Sequence, residues 1–92
     1  MSSQLCLFYR KNAPSSEEAK AYLLSLERRY PEFIGQLDFV DMDETPEKAR
    51  GLGIIATPTL LISNPHPPRR VIGSLEGVEA LLGIKEGFLS KD

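Results

Sequence analysis

Gly53-Ile54-Ile55-Ala56-Thr57-Pro58-Thr59-Leu60-Leu61-Ile62 decides how this chain is read. A proline ahead of an apolar run cannot sit inside a central strand, because it lacks the donor the ladder needs and steers the preceding residue toward extended geometry. Pro58 therefore marks where a loop turns into a strand running from Thr59 to Ile62. Upstream, Val40-Asp41-Met42-Asp43 reads as a strand entering an acidic loop. Thr45 and Pro46 supply an N-cap and a proline at the first helical position, so a short helix runs to about Leu52, with Gly53 suited to a left-handed exit.

Working outward, Gln4-Leu5-Cys6-Leu7-Phe8-Tyr9 is a nearly continuous apolar run, as expected of a first strand covered on both faces. The polar loop Arg10-Lys11-Asn12-Ala13-Pro14 follows. Ser15-Ser16-Glu17-Glu18 fits a capping box, with Ser15 as N-cap and Glu18 reaching back. The helix it opens carries Ala19, Tyr22, Leu23, Leu26 and Tyr30 on one stripe and Glu17, Lys20, Glu27 and Arg28 on a solvated face, until Pro31 stops it. After a loop from Pro31 to Gly35, Leu37 to Asp41 forms the second strand, parallel to the first. Beyond the Pro58 strand, Ser63-Asn64-Pro65-His66-Pro67-Pro68 is a connection, and Arg69 to Gly73 is a fourth strand closing an antiparallel hairpin. Apolar residues from Leu75 to Leu89 are spaced for a last helix, weakened by internal Gly77, Gly83 and Gly87.

The whole chain bounds what this architecture can serve. Its 92 residues suffice for one domain, residues 1–92, and are too few for two. An apolar fraction of 41% with 26% charged residues is that of an ordinary soluble globular protein. A net charge of −2 gives no reason to expect nucleic acid or an anionic membrane as partner. No apolar run approaches a membrane span, and Met1-Ser2-Ser3-Gln4 lacks the basic start of a secretion signal, so the expected location is cytoplasmic. The single cysteine, Cys6, rules out an internal disulfide, a CxxC pair and a Cys-rich metal site, and its place in a strand reads as a small buried hydrophobe.

The order βαβαββα with Pro58 ahead of Thr59-Leu60 resembles a thioredoxin-like domain: α/β, a mixed four-stranded sheet with helices on both faces. The resemblance implies a cis peptide before Pro58 and a loop there that faces the binding site. Where redox members carry CxxC, this chain has Arg10-Lys11-Asn12-Ala13-Pro14-Ser15-Ser16, which excludes thiol-disulfide chemistry. Leu7-Phe8-Tyr9, Asn12-Ala13-Pro14-Ser15-Ser16, Val40-Asp41, Ile55-Ala56-Thr57-Pro58-Thr59-Leu60 and Pro67-Pro68-Arg69-Arg70-Val71-Ile72-Gly73-Ser74-Leu75 together look like the KaiB family, collinearly from about Leu5 to Leu89. That narrower resemblance implies a non-enzymatic clock or stress regulator, without cofactor, that docks onto KaiC, a ring-shaped ATPase and autokinase. It also implies a second fold, a ground state with a rearranged C-terminal half and self-association. The half after Gly51 is rich in glycine and proline, which suits two packings close in energy. Ser74, where the family usually has aspartate, and the ordinary thioredoxin-like approach to Pro58 favour the thioredoxin-like state.

Three loops are expected to meet at the C-terminal ends of the parallel strands, where open α/β sheets bind. These are Arg10 to Ser15, Ala56 and Thr57 beside Pro58, and Gly73 with Ser74. The candidate partner-binding residues are thus Arg10, Lys11, Asn12, Ala56, Thr57 and Ser74, with Pro58 and Gly73 in structural roles. Arg69 and Arg70 point to opposite faces of their strand, so at most one of them faces a given partner. His66, in a proline-rich turn, reads as exposed. Asp38, Asp41, Asp43 and Glu44 lack the histidines or glycine-containing loop of a metal site. No glycine-rich phosphate loop or catalytic constellation is present. The leading reading is a regulator of a KaiC-like ATPase. The alternatives are a detached sensory or adaptor domain for a histidine kinase or other clock protein, and a redox-inactive enzyme of the thioredoxin superfamily.

Overall fold

A computed structural model describes residues 3–64 and 66–84. The elements in order are β1 (Ser3–Tyr9), α1 (Pro14–Arg29), β2 (Ile34–Asp41), α2 (Pro46–Gly51), β3 (Thr59–Asn64), β4 (Arg69–Ile72) and α3 (Val78–Leu81). The sheet order is β2-β1-β3-β4, with β1 and β2 parallel and the β1–β3 and β3–β4 pairs antiparallel. β1 lies inside the sheet, which is why its sequence is apolar with little alternation.

Alternate residues of the central strands supply two cores. Leu5, Leu7, Tyr9, Leu60 and Ile62 face α1 through Ala19, Leu23 and Leu26, and face the C-terminal segment through Leu75, Val78 and Leu82. Phe8 faces the other way, onto Val40, Met42, Ala49 and Ile54 beside α2. Helices therefore cover both faces of a mixed four-stranded sheet, the expected thioredoxin-like α/β architecture. Cys6 is on the α2 side, half-buried against the Phe8 cluster rather than fully enclosed.

Several boundaries differ from the sequence reading. α1 starts at Pro14, with Ala13 as its N-cap, so Ser15 is inside the helix and the Ser15–Glu18 capping box does not form. The proline decides this: its missing N–H costs nothing in the first turn, and it holds Ala13 extended at φ −102° and ψ 117°. The neighbouring Ser16 has a different role, for its Oγ is buried and accepts the Arg10 N–H at 3.2 Å, tying the loop to the helix. Lys20 is not on a solvated face, because its Nζ lies 4.8 Å from the centre of the Tyr9 ring and 5.5 Å from that of Phe39.

β2 begins at Ile34, three residues earlier than its hydrophobic pattern suggests, because Ser3 pairs with Ile34 across a register shift beside Gly35 and Gln36. Thr45 is the N-cap of α2, but its side chain makes no capping bond among the described residues. The last helix is confined to Val78–Leu81 between Gly77 and Gly83, both left-handed at φ +87° and +83°. The expected extension from Lys85 to Leu89 lies outside the described residues.

Candidate functional site

The sheet's register brings the first loop and the acidic loop together. Tyr9 pairs with Asp41 at the parallel ends of β1 and β2, so the residues that follow each strand emerge side by side. Arg10 Nη1 lies 3.8 Å from Asp43 Oδ1, and Lys11 Nζ lies 3.8 Å from Asp41 Oδ2 and 3.5 Å from Glu44 Oε2. The charge of Glu44, its hydrogen bond and the charge of Asp41 raise the Lys11 ammonium above its ordinary pKa. Asp41 is nearly buried, and its Oδ1 accepts the Asp43 N–H at 2.9 Å. The acidic residues are thus engaged with the chain's own amides and cations. Asn12, in the same loop, takes the left-handed conformation at φ +66°.

The other two loops meet across a hydrogen bond. Thr57–Pro58 is a cis peptide, as is His66–Pro67. The Gly73 N–H donates to the Pro58 carbonyl at 2.8 Å, with Gly73 left-handed at φ +84° as the chain leaves β4. Thr59 Oγ1 donates to the Ala56 carbonyl at 2.6 Å, tying the loop to the start of β3. Against these loops lies the first half of α1, and between them is a groove of about 730 Å³. Ser15, Thr57, Pro58, Gly73 and Ser74 line it, so the structure brings together part of each expected loop. Arg10, Lys11, Asn12 and Ala56 do not line it.

The groove's remaining walls were not singled out from sequence. Ala19, Tyr22 and Leu75 form its apolar surface, and Glu18, Glu76 and Glu79 bring carboxylates to it. Burial first, then the charge and hydrogen-bonding influence of Glu79, push the Tyr22 phenol up to about 12, so it stays protonated beside that carboxylate. Glu79 also lies 3.8 Å from Arg29 Nη2. The Ser74 hydroxyl accepts the Glu76 N–H at 3.2 Å, which shapes the turn.

Arg69 and Arg70 lie on the edge strand β4, paired with Ile62 and Leu61 and so on opposite faces, as expected of successive strand residues. Arg70 Nη2 donates to the Leu52 carbonyl, which holds its side chain toward the α2 side. Ile55, beside Ala56, is 92% exposed, and Ile72, at the end of β4, is 64% exposed. The Cys6 thiol is away from the loop end, its pKa pushed up by burial and then by the charge of Asp38.

The KaiB domain model matches residues 6–85. Among solved structures, the chain is similar to chloroplastic thioredoxin z, with a TM-score of 0.77 and 19% identity over 94% of this chain and 80% of that one. It is similar to the germline-specific thioredoxin Deadhead of Drosophila melanogaster, with a TM-score of 0.73 and 17% identity over 89% of this chain and 79% of that one. Mitochondrial thioredoxin 3 of Saccharomyces cerevisiae gives a TM-score of 0.70 and 22% identity over 91% and 77%. These likenesses establish the fold. No curated protein sequence matches.

Proposed function

The chain belongs to the KaiB family, and from that premise we propose that it is a non-enzymatic regulator that docks onto a KaiC-like ATPase and autokinase in the cytoplasm and alters its phosphorylation or activity, in a circadian clock or in stress regulation. The observation that carries the proposal is the family match itself, which runs through all the described elements rather than one motif. The half-buried Cys6, set in β1 and pushed toward the neutral thiol, favours a binding role over a redox one. Ile55, exposed beside Ala56 and Thr57, offers the kind of apolar anchor that a docking face uses. In this reading the thioredoxin-like form is the one that docks.

The test uses a purified KaiC-like ATPase from the same source. Co-sedimentation with this protein and a changed autophosphorylation time course are expected. Ile55→Ser and Lys11→Gln should weaken the complex, while Arg28→Gln, on the outer face of α1, should not. Absence of a complex at concentrations of tens of micromolar, where even weak docking registers, would overturn the reading. Retention of a histidine kinase from native lysate in its place would favour the adaptor alternative.

A further inference from the structure

We infer that the groove between α1, the Pro58 loop and the Ser74–Gly77 turn seats an extended, arginine-bearing segment of a partner protein. Elsewhere at this end of the sheet the charges are balanced within the chain, where Arg10 and Lys11 face Asp41, Asp43 and Glu44. The groove is different. Glu79 has Arg29 and the Tyr22 hydroxyl, but Glu18 and Glu76 have no ion-pair partner among the described residues, and no lining residue carries a positive charge.

Besides these carboxylates the groove has an apolar part, made by Ala19, Leu75 and the Tyr22 ring. A guanidinium matches both parts of this surface. Its planar fork pairs with carboxylates, its face stacks on an aromatic ring, and its aliphatic stem covers apolar surface. At about 730 Å³ the groove has room for more than one side chain, which favours a stretch of polypeptide. This inference goes beyond the ATPase reading and stands or falls separately, because its test uses a peptide alone.

The experiment titrates the full-length, isotope-labelled protein with a short capped Ser-Ala peptide carrying two arginines, with its citrulline twin, and with spermidine. Saturable amide shifts centred on Ala19, Tyr22 and Ser74 to Gly77 are expected from the arginine peptide, and none from the citrulline twin. Glu18→Gln with Glu76→Gln should weaken binding about tenfold, and Glu47→Gln, on α2, should leave it unchanged. Should the double variant lose its native spectrum, Glu18→Gln alone, at an exposed helical position, serves with a smaller loss expected. No saturable shift, equal binding by the citrulline twin, or shifts centred on Asp41 to Glu44 would each overturn the inference. Spermidine binding as tightly as the peptide would overturn it too, by marking a small-polyamine site.

Discussion

From Ser3 to Asp41 the chain builds two long strands and a 16-residue helix, whereas from Pro46 onward no described element exceeds six residues. The first half is held by periodic burial: Leu5, Leu7, Leu23 and Leu26 repeat at the spacing of their elements and are almost wholly enclosed. The second half buries Leu60, Ile62 and Val78 just as fully, but joins its short elements by turn chemistry. Gly53, Gly73, Gly77 and Gly83 are left-handed, two X–Pro peptides are cis, and β4 keeps only Val71 partly buried. The first half is therefore specified by periodic burial in long elements, and the second by burial together with where its backbone is able to turn.

The largest test of that contrast compares two truncations. Leu23→Ala removes a fully enclosed side chain and should cost about 3 to 5 kcal/mol, since buried leucine truncations carry both a transfer and a cavity penalty. Val71→Ala, on the half-exposed edge strand, should cost about 1 kcal/mol or less because its site is already open to water. Urea unfolding measures both. Equal losses would mean that the edge strand β4 is as tightly packed as α1.

The same contrast explains what the sequence disclosed. Element type and order were legible throughout because hydrophobic period and proline position act locally. At the start of α1 two local signals compete, a Ser-x-x-Glu box and Pro14, and the proline prevails because its ring fixes φ whatever the side chains do. The groove was half legible. Pro58 and Gly73 announced its loops, but Tyr22 and Glu79 meet only because α3 folds back onto α1. The pairing of Lys11 with Asp41 and Glu44 depends on the β1–β2 register, and the register shift beside Ser3 shows how little of that was fixed by hydrophobic pattern. It also changes how a charge substitution there must be designed. Reversal of Lys11 would set like charges against Asp41 and Glu44, so neutralisation to glutamine is the cleaner probe of docking.

A pair of glycine substitutions sharpens the contrast within the second half. Gly73 and Gly51 both have open space where a Cβ would go, so the backbone alone decides the outcome. At Gly73, φ is +84°, and alanine should destabilise by about 1 kcal/mol. Gly51 ends α2 without a positive φ, and alanine there should stabilise by about 0.4 to 1 kcal/mol by restricting the unfolded chain. Thermal or urea unfolding should therefore move in opposite directions for one and the same chemical change. Movement in the same direction would show that backbone freedom is not what holds this half in shape.

The smallest effect concerns the polar seam that fastens the second half to the first. Tyr22, on α1, lies beside Glu79, on α3, and its phenol is pushed up to about 12 by burial and then by Glu79. An unfolded tyrosine ionises near pH 10, so between these values the unfolded chain gives up the proton while the folded one retains it. The stability from this group is therefore fully present below about pH 10 and is lost as pH rises toward 12. Because Tyr22 is only partly buried, solvent screening reduces the loss to the order of 1 kcal/mol or less. Lys11, raised by Glu44 and Asp41, loses its own contribution as pH rises above the ordinary lysine range, so the total alkaline fall has two sources. Tyr22→Phe separates them: between neutral pH and about pH 11 the parent should lose stability relative to the variant, because only the parent has a phenol to ionise on unfolding. An unchanged gap between the two proteins across that range would mean that the folded chain does not hold the phenol protonated between α1 and α3.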